Sequence, residues 1–413
     1  MKSISDSQSS GGLSRRAFLR NTIGGSLPLA ATGSLVAANS ASAGDKKEVA
    51  PVLPRKQLGR NGPMVCQISQ GGSMNAHSAN FLEIAWRHGI RYFDASSRYL
   101  NGQCEANIAQ FLDRDKSRRE ELFLVSKDPA NSPSDMLANI DKRLKALHTD
   151  YLDLYFIHGI NTRRGGTASL EWPKSDEWRE VQAKLKKSGK VKMVGFSCHD
   201  AYLNDFMMAA AEGGFLDAIM VAYDPFHEKG GDFDKALDAC YKAGIGLVAM
   251  KNFRALGNVP ARLPDLDKLG LAPREALLHT VMSDKRITAM CVESTNIVEL
   301  EQNTGAVLSF DPEKSLLAAK VLRSHHDAIE HNVCPGCESC QSIASAADVV
   351  LLDIARYVAY YECDGKTNAR DMYKRVSSRE LNASRHVAAE ARDKCRYGVD
   401  YPAVMERAER YFA

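Results

Sequence analysis

From about residue 64 to residue 308 the chain alternates between two patterns of apolar and polar positions. Short, nearly uninterrupted apolar runs ("VCQIS", "RYFDA", "LFLVSK", "LDLYFIH", "VKMVGFS", "AIMVAY", "GLVAMK", "ITAMCV") predict strands buried on both faces. Between them lie segments such as "SDMLANIDKRLKALH", "DEWREVQAKLKKSG" and "DFDKALDACYKAG", whose apolar residues recur three and four apart and predict amphipathic helices. Eight such alternations predict an α/β fold, a (β/α)8 TIM barrel. The rival is an open doubly wound sheet, which wants a Gly-rich phosphate loop after its first strand. "SQGGSMNAHS" only approximates one.

The alternation ends near Phe310, and the remaining hundred or so residues read as mostly helical. At the other end, "SRRAFL" precedes a mildly apolar Gly/Ala/Ser-rich stretch, and Ala41-Ser42-Ala43 offers a small-x-small cleavage pattern. This order resembles a twin-arginine signal peptide, and export to the periplasm is the expectation. The stretch contains a proline and several polar residues, so no stable membrane anchor is expected. The predicted organisation is a signal peptide over 1–43, a linker over 44–54, a barrel over 55–310 and a helical segment over 311–413.

Composition narrows the picture. Lys plus Arg number 54 against 51 Asp plus Glu, and no basic stripe occurs, so no nucleic-acid partner is expected. The ten cysteines are scattered except for "CPGCESC", which excludes a small secreted disulfide framework.

In a (β/α)8 barrel, chemistry collects where strands end at their carboxyl sides. The second strand ends in Asp94, with Tyr99 five residues on; the third ends in Lys127 and the fourth in His158. Together these four make a proton donor. A lysine ammonium held by a carboxylate would lower the phenol's pKa, and the imidazole would orient a carbonyl oxygen. Taken singly, the pair Asp94–Lys127 reads equally well as structural, Tyr99 as a loop anchor and His158 as a core residue.

These segments resemble the aldo-keto reductase family. "FDASSRYLNGQCEANIAQFL", "LFLVSK", "LDLYFIH" and "VGFSCH" match its successive strand ends, and "KQLGRNGPMVCQISQGG" its opening hairpin and first strand. The resemblance covers roughly 55–308. It implies catalytic Asp94, Tyr99, Lys127 and His158, and reversible hydride transfer between a nicotinamide and a small carbonyl or alcohol. It implies NAD(P)-binding roles for Ser197, Ser294, Asn296 and Asn303, with Tyr223 as an aromatic face. Glu293 and Glu299 stand where many members carry basic residues for a 2′-phosphate, and Cys198 and Met220 where they carry amides. NADH, NADPH or neither therefore stays open.

Cys334, Cys337 and Cys340 form the C-x2-C-x2-C run of a bacterial ferredoxin pattern, and "CRYGVDYP" resembles its partner with Arg396 replacing the usual proline. One [4Fe–4S] cluster on Cys334, Cys337, Cys340 and Cys395 is the expectation, with Cys363 the substitute fourth ligand. Zinc and a disulfide are the alternatives. The chain also looks like bacterial aldo-keto reductase-like proteins that end in a ferredoxin-like segment. The expected function is an exported oxidoreductase in which Tyr99 handles the proton and the cluster stores or relays electrons. A redox partner protein is possible. The second expectation is an electron-transfer or partner-docking protein on a barrel with little nicotinamide-dependent activity.

Overall fold

The structure, a computed structural model, describes residues 50–413 apart from 74–77, 257–261, 330–333, 335–339, 345, 347 and 365–368; the side chains of residues 163, 329, 341, 344, 363 and 364 are also outside the description. The expected signal peptide and Cys337 thus lie outside the described residues, as does the side chain of Cys363.

Eight parallel strands close into a barrel: β1 (Ile68–Gly71), β2 (Tyr92–Asp94), β3 (Phe123–Asp128), β4 (Leu152–Ile157), β5 (Val191–Cys198), β6 (Ala218–Ala222), β7 (Gly246–Met250) and β8 (Ile287–Val292). Each bonds to the next in sequence, and β8 pairs with β1 through Met290 opposite Ile68. That closure excludes the open doubly wound sheet. The continuous apolar runs arise because barrel strands face packed side chains inside and helices outside; every residue of β3 and β4 is buried.

One predicted strand is divided. In "VCQIS", Met64–Cys66 pairs antiparallel with Arg55–Gln57, and the barrel strand starts only at Ile68. The hairpin lies across the amino-terminal end of the barrel, where Lys56 Nζ donates to the carbonyls of Lys285 and Ile287 at 2.9 and 2.6 Å.

The helices follow their apolar stripes. Asp135–Leu147 buries Met136, Ile140, Leu144 and Leu147. Asp176–Lys187 is capped by the Ser175 hydroxyl, carries Asp176 and Glu177 in its first turn and three lysines in its last, and buries Trp178, Val181 and Leu185.

Beyond the barrel, Pro312–Ile329 packs on Pro273–Met282, with Ala318 and Leu322 joining Phe226, Leu256 and Leu277. Helices Leu351–Asp364, Ala369–Tyr373, Ser378–Asp393 and Tyr401–Phe412 then build a second core around Ile354, Val358, Tyr373, Tyr401, Met405 and Phe412. The first of these packs against the Asn252–Leu256 turn that follows β7, so the tail sits over the carboxyl-terminal mouth of the barrel. Barrel and tail form one compact unit. Among the described residues no helix is long and apolar enough to cross a membrane.

Candidate active site

The mouth of the barrel encloses a cavity of about 760 Å³ lined by Asp94, Tyr99, Lys127 and His158. Lys127 is fully buried, and its Nζ lies 2.5 Å from Asp94 Oδ1, 3.0 Å from the Ala95 carbonyl and 3.3 Å from the Tyr99 hydroxyl. The Tyr99 and His158 rings meet edge to face, with centroids 5.3 Å apart at 90°. Four residues from three different strand ends are thus brought together. Tyr99 is aimed by an unusual turn: Leu100, Asn101 and Gly102 all take left-handed φ values of 49°, 56° and 88°. Asn and Gly adopt that region readily, whereas a leucine there stores strain of the sort found at functional sites.

The tautomer of His158 follows from its neighbours. The Lys127 carbonyl already accepts from the Ser97 N–H and hydroxyl at 3.1 and 3.2 Å. The Ser96 hydroxyl lies 2.7 Å from His158 Nδ1 and 3.0 Å from the same carbonyl, so its one proton serves either the ring or the carbonyl. With Ser96 donating to the ring, the ring proton sits on Nε2, where it can be offered to a carbonyl oxygen.

The electrostatics correct one expectation. Burial, followed by the charge of Asp94, pushes the Tyr99 phenol well above its ordinary value rather than below it. Loss of water around the hydroxyl is the first cause, and the negative charges of Asp94 and Glu293 add to it. Burial also raises the Asp94 carboxyl, against the opposing pull of Lys127. His158 is held well below its ordinary value, first by burial and then by the charges of Lys127, Arg164, Arg98 and Lys251. The site therefore holds a protonated phenol and a neutral imidazole at neutral pH.

The nominated cofactor residues divide. Ser197 lines the cavity, and its hydroxyl accepts from the Gly159 N–H at 2.9 Å. Tyr223 does not line it: its hydroxyl donates to Asp284 at 2.9 Å and its ring packs against His227 and Phe233, leaving Met220 and Met250 to face the cavity. Ser294, Asn296 and Asn303 are also off the cavity wall, occupied in shaping the loop. Asn303 Nδ2 donates to Ser294 Oγ at 3.0 Å, and Asn296 caps helix Ile297–Leu308 by accepting from the Glu299 N–H at 2.9 Å. Glu293 and Glu299 do line the cavity, but Glu293 accepts from Ser73 and Glu299 from Thr295. Arg274, absent from the sequence-based nominations, joins them at that end, stacked 3.8 Å over the Phe253 ring and bonded to Asn303.

Sequence reading also missed the tail's share of the wall. Arg356, only 9% exposed, reaches from helix Leu351–Asp364 to donate to His199 Nδ1 at 2.9 Å and to pair with Asp353 at 2.5 Å. Lys251 stands 5.6 Å from the centroid of the Tyr360 ring, on a backbone with φ of +63°. A non-glycine residue in that region at a strand end is a signal of function that only coordinates reveal.

Of the four nominated metal ligands, Cys334 and Cys340 are buried, and their sulfurs approach one Tyr401 hydroxyl at 3.3 and 3.6 Å. Cys395 is half-buried against the same core and accepts from the Val399 N–H at 3.4 Å. Cys337 is outside the described residues, and among those described no group of three or more metal-ligating side chains converges. The Cys334 carbonyl accepts from Arg254, a residue of the cavity wall, at 2.9 Å.

The model of the aldo/keto reductase family matches residues 61–258. An NAD(P)H-dependent D-xylose reductase of Candida tropicalis is 26% identical over 275 residues, 57% of this chain and 82% of the relative. A glyoxal reductase of Bacillus subtilis is 30% identical over 137 residues, 32% of this chain and 44% of the relative. An aldehyde reductase of Saccharomyces cerevisiae is 32% identical over 132 residues, 27% of this chain and 41% of the relative. The chain therefore spans most of the first and less than half of the other two. Among solved structures, an aldo-keto reductase from Klebsiella pneumoniae in complex with NADPH superposes with a TM-score of 0.53 at 21% identity, covering 66% of this chain and 96% of the other. The holo form of one from Bacillus halodurans gives 0.52 at 18%, covering 65% and 96%. These likenesses establish the fold of the barrel.

Proposed function

We propose, from the premise that the barrel of this chain belongs to the aldo/keto reductase family, that the protein reduces a small carbonyl compound to an alcohol with Tyr99 as the proton donor. The observation that carries this reading is the buried contact of Lys127 Nζ with Asp94 at 2.5 Å and Tyr99 at 3.3 Å. The cavity, about 760 Å³, is large enough for a cofactor site. Ser197, Met220 and Met250 would hold the nicotinamide end, and Arg274 with Glu293 the far end. A bound nicotinamide supplies the hydride to the carbonyl carbon.

The chain's own residues handle the oxygen. As the C–O π pair becomes an alkoxide, the His158 Nε2–H orients that oxygen and the Tyr99 hydroxyl gives up its proton. Lys127 then faces a phenolate 3.3 Å away and stabilises it, and Asp94 keeps the ammonium in place. In the reverse direction the phenolate takes the alcohol's proton. Either NADH or NADPH falls within this reading, since Arg274 balances the two carboxylates at the far end.

The proposal extends to a [4Fe–4S] cluster on Cys334, Cys337, Cys340 and Cys395, and to export through residues 1–43. Support for the cluster comes from the cysteine spacing and from the shared approach of two buried sulfurs to Tyr401. Burial and the two thiols push the Tyr401 phenol upward, so it keeps its proton. When bound, such a cluster would store or pass electrons beside the cavity.

The test is an anaerobic assay of NADH and NADPH oxidation with a panel of aldehydes. Oxidation dependent on an aldehyde supports the reading. Neither cofactor being bound or oxidised would remove it and favour an electron-transfer role.

A further inference from the structure

The substrate side of the cavity carries more positive charge than the proton-transfer chemistry uses. Arg98 immediately precedes Tyr99 on the loop after β2, and Arg164 lies on the loop after β4, beyond His158. Both line the cavity. They are near enough for Arg98 to depress the Arg164 guanidinium, and for both to act on His158. Both are exposed at the mouth, where water screens their repulsion, and an anion between them would replace that repulsion with attraction to both.

Other cations on this wall are occupied: Arg254 donates to the Cys334 carbonyl at 2.9 Å and Arg274 to Asn303 at 3.1 Å. Lys127 is paired with Asp94, and Arg356 with Asp353. Neither Arg98 nor Arg164 has a carboxylate partner among the described residues. Guanidinium groups bind carboxylate and phosphate through two parallel N–H bonds, and here two of them line the cavity that also holds Tyr99 and His158.

From this geometry, and resting on the reductase reading above, we propose that Arg98 and Arg164 form an anion subsite and that the substrate is a carbonyl compound bearing a carboxylate or a phosphate. The subsite holds the anionic end while the carbonyl lies against the Tyr99 hydroxyl. It sets which substrate is used and takes no part in the proton transfer.

Two matched pairs test it: 4-carboxybenzaldehyde against benzaldehyde, and glyceraldehyde 3-phosphate against glyceraldehyde, each with NADH and NADPH. We expect kcat/KM to favour the anionic member of one pair by about tenfold or more, as charge-assisted hydrogen bonds allow. The favoured pair tells carboxylate from phosphate. The double variant Arg98→Gln/Arg164→Gln should lose that preference and keep the nicotinamide KM. No preference in either pair, or a preference that survives in the variant, overturns the proposal. A raised nicotinamide KM in the variant also overturns it, because the arginines would then serve the cofactor's phosphates.

Calorimetric binding of 4-(hydroxymethyl)benzoate against benzyl alcohol, and of glycerol 1-phosphate against glycerol, reads the same preference without turnover. Preference in binding with no turnover of any aldehyde would sink the reductase reading and leave the anion subsite standing. Turnover with no preference would do the opposite.

Discussion

At the scale of single residues, the account turns on a phenol withdrawn from water beside a carboxylate. Burial, followed by the charge of Asp94, keeps Tyr99 protonated, so it is a loaded acid. Replacing Lys127 by Met leaves Asp94 buried without its cation. We expect a loss of about 3–5 kcal/mol of stability, the range for breaking a buried ion pair, read from urea midpoints. The two buried histidines give a second expectation. Burial holds His158 and His199 well below their ordinary 6.5, so the folded protein binds fewer protons than the unfolded chain below that pH. Their contribution is present above 6.5 and is lost as pH falls, at up to about 1.4 kcal/mol per pH unit for each group. Stability at pH 5.5 should therefore lie below that at pH 7.5, and His199→Asn should shrink the difference; an unchanged pH profile in that variant would argue against the assignment.

At the scale of elements, the eight strands were legible because barrel strands are apolar on both faces, and the meeting of Asp94, Tyr99, Lys127 and His158 was legible because three of them lie at strand ends and Tyr99 on the loop that follows one. The direction of the Tyr99 shift was not, since it depends on how far the fold withdraws the hydroxyl from water. The places of Tyr223, Ser294, Asn296 and Asn303 off the cavity wall were not legible for a related reason. Sequence position places a residue in a loop but does not say whether its side chain faces the cavity or ties the loop together. Close packing between strands sets a further limit. A Cβ on Gly195 of β5 would lie 1.8 Å from the Ala218 carbonyl oxygen of β6. Gly195→Ala should cost about 3 kcal/mol or more, seen as a lowered Tm, because neither backbone can move without opening the barrel. The tail helix offers a milder change. Arg356→Ala removes the donor to His199 and part of the wall, and should raise substrate KM more than it lowers kcat; an unchanged KM would mean the helix only covers the mouth.

At the scale of the whole molecule, the tail is a second core seated on the catalytic end of the barrel, not an appendage. Its helices were readable from their periodicity, whereas its docking site was not, because the contacts join residues far apart in sequence. Arg254 to Cys334 and Arg356 to His199 are two examples. This placement gives the proposed cluster a position beside the cavity. Protein purified without oxygen should carry about four iron and four sulfide per chain if the four-cysteine count holds. Cys334→Ser or Cys340→Ser should lower both; iron content unchanged in the two variants would remove these ligands from the proposal.

The most direct test of the central claim is the nicotinamide-dependent reduction rate of Tyr99→Phe, with cofactor binding measured in parallel. The account expects kcat to fall by at least about a hundredfold, the size of a lost general acid, while the nicotinamide still binds. A variant that keeps wild-type kcat would contradict the assignment of Tyr99 as the proton donor.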